Sequence, residues 1–280
     1  MIATSRHTPV VTAAFAEILG RSHESHASPW ELTLRDTPIL ARQAAPWLVM
    51  TSPAPRDVSL LALLGWNAAL PGRVKFALRA NGEPQIRAEI PIDEDAAPLI
   101  HEAWRGFETA LTLLRGEECQ APAGTSHTMA QDDFKRLCDE AEWPCTQRSD
   151  GTCVVELECP GSFVQASLAP RDGGVRVSVP LANFDESAAE SVSALGVLLL
   201  SAGSAMRMVR PVCETSDGKI SPRLEVDFSA VPAAAQLAHA LSSLSVACQF
   251  CAEEVQALQD PNVAREFLAL NKTKTRKEEP

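Results

Sequence analysis

Cys248 and Cys251 form the only C-x-x-C pair of the chain, in ACQFCAEE. Such a pair does redox chemistry when it opens a helix after a strand, where unpaired N–H groups and the helix dipole lower the thiolate pKa. Here it falls deep inside a run of helical periodicity, so it predicts reduced, buried packing. Zinc needs four ligands in tetrahedral reach, usually as two short pairs. No second pair exists, and His239 lies nine residues before Cys248. Cys153 and Cys159 are an even number apart on a strand-like run, so they share a face and read as core.

Nucleophilic and phosphate chemistry find no better support. Ser162 in PGSFV and Ser204 in AGSAM lack the second glycine of G-x-S-x-G, and neither G-x-x-x-x-G-K-[ST] nor G-x-G-x-x-G occurs. The six histidines, His7, His23, His26, His101, His127 and His239, fall mostly in terminal, loop or helix-surface contexts. Asp93, Glu94 and Asp95 precede one helical run and Asp132-Asp133 open another, where carboxylates meet the positive end of a helix dipole. Arg87 with Glu89, and Arg223 with Glu225, stand at i, i+2 on one face of a strand. They read as surface ion pairs, with a repeated partner contact as the alternative. The expectation is a non-enzyme with no cofactor and no metal site.

The elements that carry these residues repeat. In the first half, Pro9 to Leu19 is helical and stops at Gly20, and WELTLRD, Ile39 to Arg42 and WLVMTS are strand-like. A helical run from Asp57 to Leu70 follows, then a hairpin around Asn81-Gly82 and a long amphipathic helix from Asp93 to Leu114. In the second half, Ala130 to Ala141 is helical, and TCVVELEC, FVQASLA and VRVSVPL are strands parted by Pro160-Gly161 and Asp172-Gly173-Gly174. A helix from Asp185 to Ala202, a hairpin around Asp217-Gly218 and a helix from Pro232 to Leu258 complete it. Each half reads α-β-β-β-α-β-β-α, which predicts an α+β chain of two tandem units with antiparallel sheets and flanking helices. Leu64-Gly65 matches Leu195-Gly196, and Gly82, Arg87 and Glu89 match Gly218, Arg223 and Glu225 in the same order.

The expected divisions are a first unit at 1–115, a linker at 116–129, a second unit at 130–270 and a disordered tail at 271–280. The linker, GEECQAPAGTSHTM, has no periodicity, and the tail NKTKTRKEEP has no apolar anchor. The net charge of −11 divides as −3, −10 and +2 over residues 1–120, 121–270 and 271–280. Such acidity repels phosphate backbones, so no nucleic acid is expected as partner. The longest apolar run, near Ala194 to Leu200, is too short for membrane insertion. The N-terminal stretch MIATSRHTPVVTAAFAEILG lacks the pattern of a secretory signal, so a reducing cytoplasm is the expected location.

The element order, with a short middle helix and a long last one, resembles the class I chaperones of bacterial type III secretion and a related family of sensory-transduction regulators. The resemblance implies a unit that pairs through its middle helix and neighbouring strand and holds extended segments of secreted proteins against apolar grooves. With two units in one chain it implies an intrachain pseudo-dimer, either monomeric or a weak homo-oligomer. Leu64, Gly65, Trp66, Leu195, Gly196 and Val197 are then the expected seam between units. Trp47, Val49, Phe163 and Val164 are the expected contacts to a protein partner or secreted client. A regulatory scaffold with a fixed protein partner is the alternative, and an unrecognised enzyme the next.

Overall fold

The computed structural model describes residues 8–20, 28–92, 96–117, 131–150, 152–159, 162–171 and 174–277. Helix α1 (Thr8–Leu19) leads into β1 (Trp30–Leu34), β2 (Thr37–Ala44) and β3 (Trp47–Pro53). Then come α2 (Leu60–Asn67), β4 (Val74–Leu78), β5 (Pro84–Pro91) and α3 (Ala96–Leu114). The second half runs α4 (Gln131–Glu140), β6 (Cys145–Gln147), β7 (Cys153–Cys159), β8 (Ser162–Arg171), β9 (Gly174–Pro180) and β10 (Phe184–Asp185). It ends with α5 (Ala189–Ala205), β11 (Arg210–Ser216), β12 (Lys219–Phe228), α6 (Ala234–Ala257) and α7 (Pro261–Lys277). The fold is α+β.

Both sheets are antiparallel. The first has the order β1-β2-β3-β5-β4. The second runs β6-β7-β8-β9-β12, with β11 on the far side of β12 and the short β10 beside the start of β12. Tight turns fix the registers. Asp217 (φ 52°) and Gly218 (φ 72°) are both left-handed between the paired residues Ser216 and Lys219, the geometry that matches strand twist in a two-residue hairpin. Arg35 and Asp36 do the same between β1 and β2.

Alternation decides which side of each sheet is core. Trp30, Leu32, Ile39, Leu48, Met50 and Ile86 lie under α1 and α3, where Phe15 meets Trp30 edge-on at 5.8 Å. Val155, Leu157, Leu168, Val177, Leu224 and Val226 lie under α4 and α6. The two halves meet through their middle elements: α5 packs on β4, α2 packs on β11, and α2 and α5 touch. Leu64, Leu195 and Gly196 are buried there, while Gly65, Trp66 and Val197 are half-buried. A Cβ on Gly196 would stand 3.0 Å from the Leu60 Cβ, so the glycine sets how closely the two helices approach. The Trp66 ring leans on Phe76 at 6.0 Å.

Three elements differ from the expectation. Helix α7 runs through Lys277, across most of the segment assigned to a disordered tail, and Arg265 ties it to Glu190 of α5 at 2.9 and 3.0 Å. The short strands β6 and β10 extend the second sheet. The linker from residue 118 to 129, the turns at Pro160-Gly161 and Asp172-Gly173, the acidic run 93–95, residues 278–280 and His7, His23, His26 and His127 lie outside the described residues.

Gly196→Leu is expected to lower stability by about 1–3 kcal/mol, the usual result of overpacking a tight contact. Urea unfolding monitored by circular dichroism checks this, and an unchanged midpoint would show that α2 and α5 do not meet at this glycine.

Candidate functional site

A helix leaves its last carbonyls without intrahelical donors, and a seam between two helix-bearing halves must satisfy them. Cations of the opposite half reach the C-cap carbonyls of Ala68 and Met206 and further carbonyls just beyond them. The Arg210 guanidinium, 3% exposed, donates to the carbonyls of Leu70 (2.6 Å) and Gly72 (3.4 Å) between α2 and β4 and of Val74 (3.4 Å) at the start of β4. Arg171 and Arg176 donate to the Ala68 carbonyl at 2.9 and 3.4 Å. In the other direction, Lys75 on β4 donates to the Met206 and Val209 carbonyls after α5. Asn67 bridges both halves, accepting from Phe76 N–H and donating to the carbonyls of Phe76 and Pro211.

Buried cations need counter-charges. Glu89 sits 3.0 Å from Lys75 and accepts from Arg87. Asp227 accepts from Arg210, Arg171 and Arg176, and Glu225 accepts from Arg223. The sequence reading takes Arg87–Glu89 and Arg223–Glu225 as surface pairs. Instead, both carboxylates are buried and belong to the network behind the seam. The i, i+2 spacing places both groups of a pair on one face but says nothing of what covers that face. Burial lowers the Lys75 pKa against the pull of Glu89. Burial also works to raise that of Asp227, but the three guanidiniums outweigh it and hold the carboxyl below its ordinary value.

The expected partner residues do not form one surface. Trp47 is 7% exposed: the His239 ring meets it edge-on at 6.3 Å and the Arg207 guanidinium lies 5.2 Å above it. Its indole is covered by the second half and is not open to a partner. Val49 is half-buried on the open face of the first sheet. Phe163 is 70% exposed at the start of β8, while Val164 is half-buried on the opposite face of that strand. The open sheet faces are polar rather than apolar, with Arg42, Thr51 and Arg87 on the first and Glu156, Gln165 and Ser178 on the second.

The apolar surface lies on helices. A groove of about 740 Å³ runs between α5, α6 and α7, lined chiefly by Leu198, Ala202, Met206, Val246, Phe250 and Phe267. Val246 is 50% exposed and Phe250 70% exposed. One side of α6 faces its sheet through Leu237, Leu241, Leu244, Cys248, Cys251 and Val255, while His239, Ser243, Val246 and Phe250 make a second stripe at helical spacing. That second stripe was legible in the sequence as Val246 and Phe250 four apart and off the core stripe.

Cys248 and Cys251 are buried on the core side of α6, where burial pushes both thiols up to about 12. Cys153 and Cys159 are buried on the inner face of β7. A group of neighbouring thiols was not foreseen from the sequence: burial, reinforced by Cys145 of β6, raises the pKa of Cys138 of α4 and of Cys153 of β7. Cys145 is the half-exposed member. Among the described residues no group of three or more His, Cys, Asp or Glu is placed to hold a metal ion, and no helix is long and apolar enough to cross a membrane.

No protein-family model and no curated protein matches the chain.

Two outcomes follow from these environments. The Asp227 pKa lies below its unfolded value of about 3.9, so its stabilisation is complete above about pH 4 and is lost as pH falls toward the folded value. Asp227→Asn should therefore be less stable than wild type at pH 7, with the gap narrowing as pH falls below about 4, as read by urea unfolding at each pH. Within the trio, a thiol reagent at pH 8 should modify Cys145 and spare Cys138 and Cys153, which peptide mapping by mass spectrometry checks.

Proposed function

We propose that the chain is a protein-binding module that holds a segment of a partner protein without catalysis. The observation that carries this reading is the helix-walled groove with its exposed Val246 and Phe250. Apolar side chains left in water at the rim of a concave, apolar cleft favour an apolar occupant, and burying one such side chain contributes roughly 1.5–3 kcal/mol. In this reading the chain is an intrachain pseudo-dimer of two units like those of class I type III secretion chaperones, working in a bacterial cytoplasm on a secreted or regulatory client. The corresponding strand order of the two sheets and the meeting of α2 with α5 support it.

The contact surface then lies on the helices rather than on the sheets. Polar open sheet faces favour neither Trp47 nor Phe163 as the main anchor, and the groove beside α6 takes that role. The polar faces also favour a second reading, a regulatory scaffold with one fixed folded partner, because a general client holder benefits from broad apolar sheet surface.

A panel of unrelated fluorescein-labelled amphipathic peptides tests the first reading against the second. Client holding gives measurable anisotropy changes with several peptides and at least a tenfold loss of affinity in Phe250→Glu, whose substitution lies on the surface. Absence of binding across the panel, or equal binding by wild type and variant, rejects the groove as a client site.

A further inference from the structure

The open face of the first sheet is cationic on an acidic protein. Leu40, Arg42, Val49, Thr51 and Arg87 alternate with core residues and share this face, and with Arg79 they line a depression of about 370 Å³. No carboxylate contributes to its wall. The Arg42 side chain is exposed and, among the described residues, has no ion-pair or hydrogen-bond partner. Arg79 reaches Gln85 at 3.4 Å and Glu83 at 3.7 Å, and Glu83 is shared with Arg56. Arg87 is engaged by buried Glu89, which also faces Lys75. Glu89 is paired with Val49 on this face but is buried between Arg87 and Lys75, and Glu31, opposite Leu40 on β1, lies outside the depression. At the other end of the same face, Arg207 lies over Trp47 and also lines the helix groove.

Scattered surface arginines are ordinary, and each alone says little. Here guanidiniums from β2, β5 and the end of β4 converge on one floor made by Leu40, Val49 and Thr51, in a chain of net charge −11. Guanidiniums in a shared depression recognise carboxylates through paired N–H donors. The same depression repels cations and gives a purely apolar segment no advantage over water.

We propose that this face binds the acidic side chains of an extended segment of the protein partner, an inference that rests on the protein-binding reading and names the chemistry of what is bound. An extended segment with an acid at every second position presents carboxylates about 7 Å apart on one side, facing the sheet. Arg207 joins this face to the helix groove, so one segment has an acidic stretch over β2, β3 and β5 and an apolar stretch beside α6.

The probe is a labelled ten-residue peptide of alternating Glu and Thr, with a Lys-Thr peptide as control. Neither carries a large apolar side chain for the groove. Wild type should bind the acidic peptide alone, more weakly as salt rises, and R42Q/R79Q should bind it at least tenfold less tightly while melting as wild type does. Phe250→Glu should bind it as wild type does, so failure of the groove reading and failure of this one are read separately. Equal binding by wild type and R42Q/R79Q, or no binding by either, overturns the proposal. So does full displacement of the peptide by millimolar inorganic phosphate, which assigns the face to a small anion. Sedimentation showing a salt-sensitive oligomer that R42Q/R79Q abolishes assigns the face to a second copy of the chain and overturns it too.

Discussion

The carbonyls at and just beyond the C-terminal ends of α2 and α5 constrain the rest of the molecule. They lie at the seam between the halves, and the C-terminal end of a helix favours a cation. Each half therefore extends cations into the other: Arg210, Arg171 and Arg176 toward the end of α2, and Lys75 toward the end of α5. A buried cation is itself expensive without a counter-charge, which explains why Glu89, Glu225 and Asp227 stand directly behind the seam. The acidity concentrated in the second half is thus partly structural, because Asp227 alone holds three guanidiniums.

This arrangement fixes what remains outside. With α5 on β4 and α2 on β11, each half covers part of the face that the other half's sheet turns away from its own helices. What is left of the first sheet is β1, β2, β3 and part of β5, with arginines around Val49 and Thr51; what is left of the second carries Glu156 and Glu158. The exposed faces of the two halves therefore have opposite chemistry even though their strand orders correspond.

Local pattern made most of the fold legible. The turns at Asn81-Gly82 and Asp217-Gly218, the alternation in β7 and β12, and the helical periods of α3 and α6 depend on neighbours within a few residues. The limits were all non-local. The pairs Arg87–Glu89 and Arg223–Glu225 were visible as same-face pairs, yet their partners Lys75 and Arg210 are held by carbonyls more than a hundred residues away in sequence. Trp47 looked like a free anchor on a strand because nothing near it in sequence announces His239 and Arg207. Helix α7 was obscured by the charged composition of its last turns, although Ala264, Phe267 and Leu268 give it a short apolar side. The cluster of Cys138, Cys145 and Cys153 required the pairing of β6 with β7, and a three-residue strand has too little pattern to foresee.

The placement of the apolar groove follows from the same economy of surfaces. Each sheet spends its apolar face on its own pair of helices, and the seam takes part of the other face, so no broad apolar sheet surface survives. Helix α6, at 24 residues, spans about 36 Å and carries apolar side chains on two sides. One side closes the core of the second sheet. The other turns toward α5 and α7, and their separation leaves Val246 and Phe250 at an open cleft rather than in a third core. Because the Arg265–Glu190 pair holds α7 to the N-terminal part of α5 only through exposed side chains, where solvent screens the charges, the ion pair itself adds little. The apolar contacts of Ala264, Phe267 and Leu268 must supply the rest of the attachment. The wall of the groove at α7 therefore rests on apolar contact, whereas the seam adds buried hydrogen bonds and ion pairs to its own packing.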